Sequence, residues 1–344
     1  MLGGIHMRKR VSIIFLSLLL IFIVACSNEK TESNVTTEEN QNQEENVEVK
    51  SVKFCFPNGV PALTAAKLAY EKPIIDENVQ IEYELESTPD LLASKILKGE
   101  ADIAIVPSNL AAQAYNKEIP YKLAGTSVWG TLYMMSTEGI ESIADLKGKE
   151  IYSFGKDLTP DLVFKYVLKE NGIDPDRDVY VTYLNAANEV APAFISGKTN
   201  LAVLSEPAVT NVLMKKDDAK IVLDFNQEWS NITGIEKGYP QASLIIKADL
   251  IENHKEFVEK FIEAYIDSIA WAKENPEKLG QYAEELEFGM TKDAVVQGID
   301  RMNMGPLYVD DMKKEYEAYY NVLLDFAPNV IGGKLPDEGF YFER

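Results

Sequence analysis

An eleven-residue echo constrains this chain more than any other feature. Ile96-Leu97-Lys98-Gly99-Glu100-Ala101-Asp102-Ile103-Ala104-Ile105-Val106 aligns without a gap on Phe194-Ile195-Ser196-Gly197-Lys198-Thr199-Asn200-Leu201-Ala202-Val203-Leu204, which begins 98 residues later. Each copy reads as a helix end, a glycine stop, a polar step and a buried strand. After the strands come Pro107-Ser108-Asn109 in one copy and Ser205-Glu206-Pro207 in the other. Any two helix–glycine–strand units share something of this look. Two such units this alike nevertheless point to two similar α/β lobes facing each other across a cleft.

The rest of the chain fits that reading. Val52 to Phe56 reads as a strand, Asn58-Gly59 as a turn, and Pro61 opens a helix running to Glu71 at the position proline favours. Glu150 to Phe154 is a further strand. It is followed by the loop Gly155 to Leu158 and by Thr159-Pro160, a capping hydroxyl and a proline at the start of a helix that stops at Asn171-Gly172. From Lys255 onward the pattern turns helical. Phe257, Val258, Phe261, Ile262, Tyr265, Ile266 and Ile269 form one stripe up to Asn275-Pro276, and helices are predicted over 291–302 and 309–326.

The first fifty residues read as processing and tethering signals. Arg8-Lys9-Arg10 precedes Val11 to Val24, an apolar run without a charge. It matches a signal-peptide core and is shorter than the ~20 residues of a spanning helix. The run ends in Ile23-Val24-Ala25-Cys26, which resembles the lipobox of bacterial lipoproteins, so Cys26 is the predicted lipidation site. Ser27 to Lys50 carries seven Glu and no aromatic residue. Such a stretch buries too little apolar surface to offset its chain entropy and reads as a disordered acidic tether.

Composition excludes several function classes. Loss of residues 1–25 removes three cations and takes the formal charge from −21 to −24. That balance argues against nucleic acid as a partner. With Cys26 lipidated, Cys55 is left alone, so no disulfide forms within the chain, and its apolar neighbours point to a buried, inert thiol. His254 is the sole histidine after processing. Zinc sites of the usual Cys/His kind, Ser-His-Asp triads and Cys-His pairs are thereby disfavoured; no catalytic residue, metal or cofactor is predicted.

Gly125-Thr126-Ser127-Val128-Trp129-Gly130, Ile143-Ala144-Asp145-Leu146-Lys147-Gly148-Lys149 and Leu204-Ser205-Glu206-Pro207 resemble segments of the SsuA/THI5-like (NMT1-type) solute-binding proteins. The resemblance covers about Val52 to Lys273. It implies an α/β, type II periplasmic-binding-protein fold: two α/β lobes joined by two hinge crossover strands, with a C-terminal helical segment. The boundaries expected are 1–25 for the signal peptide, 26–50 for the tether, 51–136 with 243–344 for the first lobe, and 137–242 for the second. The crossovers are expected near Leu132 to Ser136 and Ser243 to Lys247. By function the family implies a monomeric subunit, lipid-anchored on the extracytoplasmic face of the cell membrane. It would capture a sulfonate, a nitrate- or taurine-like anion or a pyrimidine-like solute and pass it to an ABC permease and ATPase. The alternatives are an enzyme of the same fold, of pyrimidine-precursor synthase or menaquinone-pathway type, and a sensor lipoprotein that feeds no permease. Against the first, no cysteine-rich active-site motif is present; against the second, the lipobox conflicts with a cytosolic setting.

Ligands in open α/β sheets sit beyond the carboxyl ends of the strands. The predicted contacts are therefore Asn58, Pro61, Ser108, Asn109, Thr126, Ser127, Trp129, Thr159 and Glu206. Trp129 is expected to lie flat against an apolar ligand. A carboxylate at Glu206 suits a ligand bearing an amine, amidine or ring N–H, or else positions the hinge. Tyr239-Pro240-Gln241 reads as a turn at the rim.

Overall fold

The computed structural model describes residues 50–305 and 307–343. The signal segment, Cys26 and the tether lie outside the described residues. No helix among the described residues is long and apolar enough to cross a membrane.

The chain runs β1 (Lys50–Pro57), α1 (Val60–Glu71), β2 (Val79–Glu86), α2 (Pro89–Leu97), β3 (Ile103–Pro107), α3 (Ser108–Asn116) and β4 (Tyr121–Trp129). A second series follows: β5 (Leu132–Ser136), β6 (Glu150–Ser153), α4 (Thr159–Glu170), β7 (Tyr180–Tyr183), α5 (Ala187–Ile195), β8 (Leu201–Ser205), α6 (Ala208–Lys215), β9 (Lys220–Asp224) and α7 (Phe225–Thr233). It returns through β10 (Pro240–Lys247) to α8 (Ala248–Asn253), α9 (Lys255–Glu274), α10 (Pro276–Glu285), α11 (Lys292–Gly298) and α12 (Lys313–Phe326). One sheet has the order β2-β1-β3-β10-β4 and the other β7-β6-β8-β5-β9.

The two orders are the same pattern, and the echo explains why. β3 and β8 are the strands of the repeated segment, and each is the central strand of its sheet. Both are buried along the apolar run, which is why they carry four consecutive apolar residues. Gly99 and Gly197 sit at φ +66° and +74°, the left-handed conformation that ends the preceding helix in both copies. In each sheet the strand beside the centre is antiparallel: β10, which returns after the last strand of the second sheet, pairs with β3 and β4, and β5 pairs with β8 and β9.

These pairings correct the expected crossovers. Leu132 to Ser136 does not span between lobes; it is β5, paired on both sides within the second sheet. Ser243 to Lys247 belongs to β10, which enters the first sheet at Pro240. The connections themselves are Gly130-Thr131 and the stretch from Gly234 to Tyr239. A wholly apolar, buried segment gains more from two strand neighbours than from crossing open space, so the hinges shrink to the polar and glycine-bearing residues between strands. Thr131 and Gln241 tie the two connections together, with Thr131 N donating to Gln241 Oε1 (2.8 Å) and Gln241 Nε2 to Thr131 Oγ1 (2.9 Å).

Helix α9 buries the predicted stripe on the outer side of the first sheet. Phe54 of β1 meets Phe261 and Tyr265 edge-on, with ring centroids 5.1 and 5.8 Å apart. The predicted 291–302 helix is α11 extended by a 3₁₀ turn, and 309–326 is a 3₁₀ turn followed by α12. Helix α12 does more than close the chain on one lobe. Tyr316, Tyr319, Tyr320 and Leu323 are buried, and its aromatic residues pack on Trp229 and Tyr166 of the second lobe as well.

Cys55 is buried and free. Its thiol donates to Glu84 Oε2 (3.4 Å), and burial above all pushes it up to about 12. Burial likewise takes the Tyr83 phenol up to about 12. The folded chain therefore holds protons that the unfolded thiol releases near its ordinary 9.0. Stability from these groups is intact below about pH 9 and falls as pH climbs toward about 12. Urea midpoints taken at about pH 8 and about pH 10.5 should show the decline, and equal midpoints would contradict it.

Candidate functional site

Between the lobes lies a cavity of ≈ 290 Å³. Its walls follow from the sheet order. The parallel strands of both sheets end at this cleft, and five of the six helices that follow them start there. Asn58, Gly59 and Pro61 line it from the start of α1, Thr88 and Pro89 from α2, Leu158 and Pro160 from α4, Ala187 and Asn188 from α5, and Pro207 and Ala208 from α6. Thr88 caps α2 through its own side chain, but α1, α4, α5 and α6 start without a side-chain cap. Helix starts carry free N–H groups and partial positive charge, so the cleft offers hydrogen-bond donors from both lobes.

Seven of the chain's 15 prolines line the same cavity: Pro57, Pro61, Pro89, Pro107, Pro160, Pro192 and Pro207. Their fixed φ holds the loops in place before any solute arrives, which lowers the entropy lost on binding. Gln241 and Ala242 contribute from the hinge side, and Met290 and Thr291 from the loop ahead of α11.

Of the predicted contacts, Asn58, Pro61 and Glu206 line the cavity. The other six do not. Ser108, Asn109, Thr126 and Thr159 are buried in a hydroxyl seam beneath α12 instead. Tyr316 OH accepts from Thr126 Oγ1 (2.8 Å) and shares a hydrogen bond with Ser243 Oγ (2.7 Å), which in turn meets Ser108 Oγ (2.6 Å). Tyr320 OH donates to the Ser108 carbonyl (2.9 Å), and Tyr319 OH bonds Thr159 Oγ1 (2.8 Å). Asn109 bridges the lobes: its Oδ1 accepts from Thr159 N (2.9 Å) and its Nδ2 donates to the Asp157 carbonyl (3.1 Å). Thr159 is thus not the helix cap it resembles; Leu158 occupies that position. Removing one hydroxyl by Tyr319→Phe should cost about 1 kcal/mol, read as a lowered urea midpoint with unchanged slope.

Ser127 is fully buried, and its carbonyl accepts from Gly305 N (3.1 Å). Trp129 faces away from the cavity, against Gly305 and with the Lys237 ammonium 5.8 Å from its ring centre, so it cannot stack on a solute held there. Tyr239 is buried rather than at a rim turn, and Pro240 and Gln241 already belong to β10.

Glu206 is the most consequential correction. The side chain is buried, and both carboxylate oxygens already have donors. Arg301 Nε donates to Oε1 (2.5 Å), while Thr210 gives its N–H (3.1 Å) and hydroxyl (2.9 Å) to Oε2. Arg301 Nη2 also reaches Thr210 Oγ1 (2.5 Å). A carboxylate held this way is neutralised within the protein by Arg301, with a donor already on each oxygen. The backbone at the same residue meets the first connection: Glu206 N donates to the Thr131 carbonyl (3.3 Å).

Glu86, Asn188, Asn211 and Thr291 line the cavity without having been singled out, and Gln241, named with the rim segment, lines it too. Thr88-Pro89 repeats the signal that marked Gly59 to Pro61, a cap position with proline just inside the helix. The rule that found Asn58 would have found its neighbours. No local pattern announces Arg301, which lies 95 residues from its partner.

A family model described as NMT1/THI5 like matches residues 58–279, well over half of the chain. The chain belongs to the NMT1/THI5-like family. YtlA of Bacillus subtilis (strain 168), described by name as a binding protein, is 25% identical over 259 residues, spanning 72% of this chain and 75% of YtlA. A solved structure of an ABC transporter protein from Parabacteroides distasonis matches with a TM-score of 0.72 at 28% identity, covering 86% of this chain and 99% of that one. The alkanesulfonate-binding protein SsuA from Xanthomonas axonopodis pv. citri, solved bound to MOPS, matches with a TM-score of 0.64 at 15% identity over 83% of this chain and 94% of its own. At that identity the likeness speaks for the fold. The family's two-lobed binding-protein fold is the one described here.

Proposed function

We propose that this chain is the solute-capturing subunit of an ABC importer, anchored through Cys26 on the extracytoplasmic face of the cell membrane. Residues 26–50 would serve as the tether between lipid and body, and the body would deliver its solute to a permease driven by an ATPase subunit. The observation that carries this reading is the interlobe cavity itself. It is walled by proline-fixed loops, donor groups converge on it from helix starts in both lobes, and its backbone connections are short enough to act as hinges. Its volume, ≈ 290 Å³, is at the small end of ligand pockets, which suits a single ring or a short-chain organic molecule.

Support also comes from relatives. The structures of similar fold include an ABC transporter protein and a sulfonate-binding protein, and the relative YtlA is named a binding protein. Mass spectrometry of small molecules released from natively purified protein should find one compound in near-equimolar amount. Adding it back at about 100 times its Kd should stabilise the fold by roughly 2.7 kcal/mol. The compound should be recovered chemically unchanged. Conversion of the bound compound to a product would replace this reading with the enzyme alternative, and a protein that captures nothing would favour the sensor.

A further inference from the structure

We propose that Glu86 is the residue by which the cavity selects its solute, and that the solute presents an N–H donor to it: an amine, an amidine or an amino group on a ring. This rests on the capture reading above and narrows it to a chemical class.

Three charged side chains line the cavity: Glu86, Glu206 and Lys215. Glu206 is cancelled by Arg301, and both its oxygens are occupied. Lys215 is exposed at the rim, where water screens it. Glu86 is different. It ends β2, is 9% exposed, and its Oε1 pairs with Lys95. No hydrogen bond is made to its Oε2. Lys95 cannot neutralise it fully, because the same ammonium also serves Glu84 Oε2 at 2.5 Å. Cys55, next to these two carboxylates, stays a neutral thiol that donates to Glu84. Two carboxylates thus share one ammonium, and the wall keeps one net negative charge with an unfilled acceptor on a side chain that is 9% exposed.

A second acceptor lies across the cleft. Asn211 Oδ1, on α6 of the other lobe, is buried without a partner and lines the same cavity. Buried acceptors left unpaired cost free energy that a donor on the solute would recover. A sulfonate or nitrate can donate nothing to either, and it would meet the residual negative charge of the Glu86 wall. The helix starts leave room for an acceptor elsewhere on the solute, so a molecule with N–H on one edge and an acceptor on another fits both kinds of wall.

Matched probe pairs test this on the intact protein. 4-Aminopyrimidine against pyrimidine differs only in the amino group, while taurine against isethionate and benzamidine against benzoate add a difference in charge. Calorimetric titration should find the N–H member of a binding pair at least tenfold tighter. Glu86→Gln keeps the shape and removes the charge, so it should reduce that affinity roughly 10- to 100-fold and shrink the advantage within the pair. A thermal melt of the solute-free variant checks that it folds; the wild-type pair comparison stands without it. Tighter binding of isethionate, benzoate or nitrate, or an advantage that survives Glu86→Gln, would overturn the assignment. A compound released from native protein that lacks any N–H would overturn it too. Protein that carries no compound and binds no probe would instead bring down the capture reading beneath it.

Discussion

Replacing Arg301 by alanine is expected to lower the unfolding free energy by about 3 kcal/mol, a fall in Tm of roughly 6–10 °C. The size follows from what the mutation leaves behind. Glu206 is buried and loses its only cationic partner, while Thr210 alone cannot stabilise the charge. The reverse change should be milder. Arg301 is about one-third exposed at 35%, so in Glu206→Gln the guanidinium can turn to water and the amide can still accept from Thr210. Chemical denaturation of both single variants and the double variant gives the coupling directly. Equal costs for the two single changes would mean that burial of Glu206 is not what makes the pair matter. Gly298 belongs to the same contact: a Cβ there would come within 2.7 Å of Thr210 Oγ1 and 3.0 Å of Glu206 Oε2, so α11 and α6 approach closely only because that residue is glycine.

Gly238→Ala should have an effect of similar size, about 2–4 kcal/mol, by a different route. Gly238 has φ +85°, which penalises any side chain, and its added Cβ would lie 1.8 Å from Asn226 Oδ1. The same Asn226 oxygen faces Gly130 on the other connection, where an added Cβ would come within 2.3 Å. One amide side chain is therefore wedged between two glycines on the two hinges. Tyr239 N donates to its Oδ1 (3.2 Å), which keeps the wedge in register. In an Asn226→Ala background the cost of Gly238→Ala should shrink by at least about 1 kcal/mol, because the steric part disappears and the backbone part stays. An unchanged cost would assign the whole effect to backbone conformation.

These two sites show where sequence reading stops. The echo located β3 and β8, the central strands of both sheets, because a strand buried on both faces has to be apolar throughout, and that is visible locally. Asn58 and Pro61 were found for a similar reason: a turn and an N1 proline mark the loop wherever the chain goes next. Ser108, Asn109 and Thr159 sit after strands just as those residues do, yet α12 covers them. Only the packing of a helix more than 150 residues away decides that, and its tyrosines at 316, 319 and 320 read in sequence as an ordinary apolar stripe. Nothing local singles out Glu86: it is one of three alternating carboxylates, with Glu82 and Glu84, in VQIEYELE of β2. What separates Glu86 from Glu82 and Glu84 is its place at the end of the strand, where it meets the cavity. The direction of Trp129 was equally hidden. In sequence Trp129 reads among loop residues after a strand, yet it is the last residue of β4 and turns toward Gly305.

The late return of β10 also imposes an order on assembly. Every strand of the second sheet lies within residues 132–224, so that sheet can be completed as soon as this contiguous stretch is available. The first sheet cannot. β3 and β4 are separated by β10, which arrives about 110 residues after β4 has ended. Until then β3 has an open edge and the lobe lacks its closing strand. Long-range pairings of this kind slow folding. For a chain whose opening residues read as an export signal, a late final strand would keep the first lobe threadable while the rest of the polypeptide is still crossing.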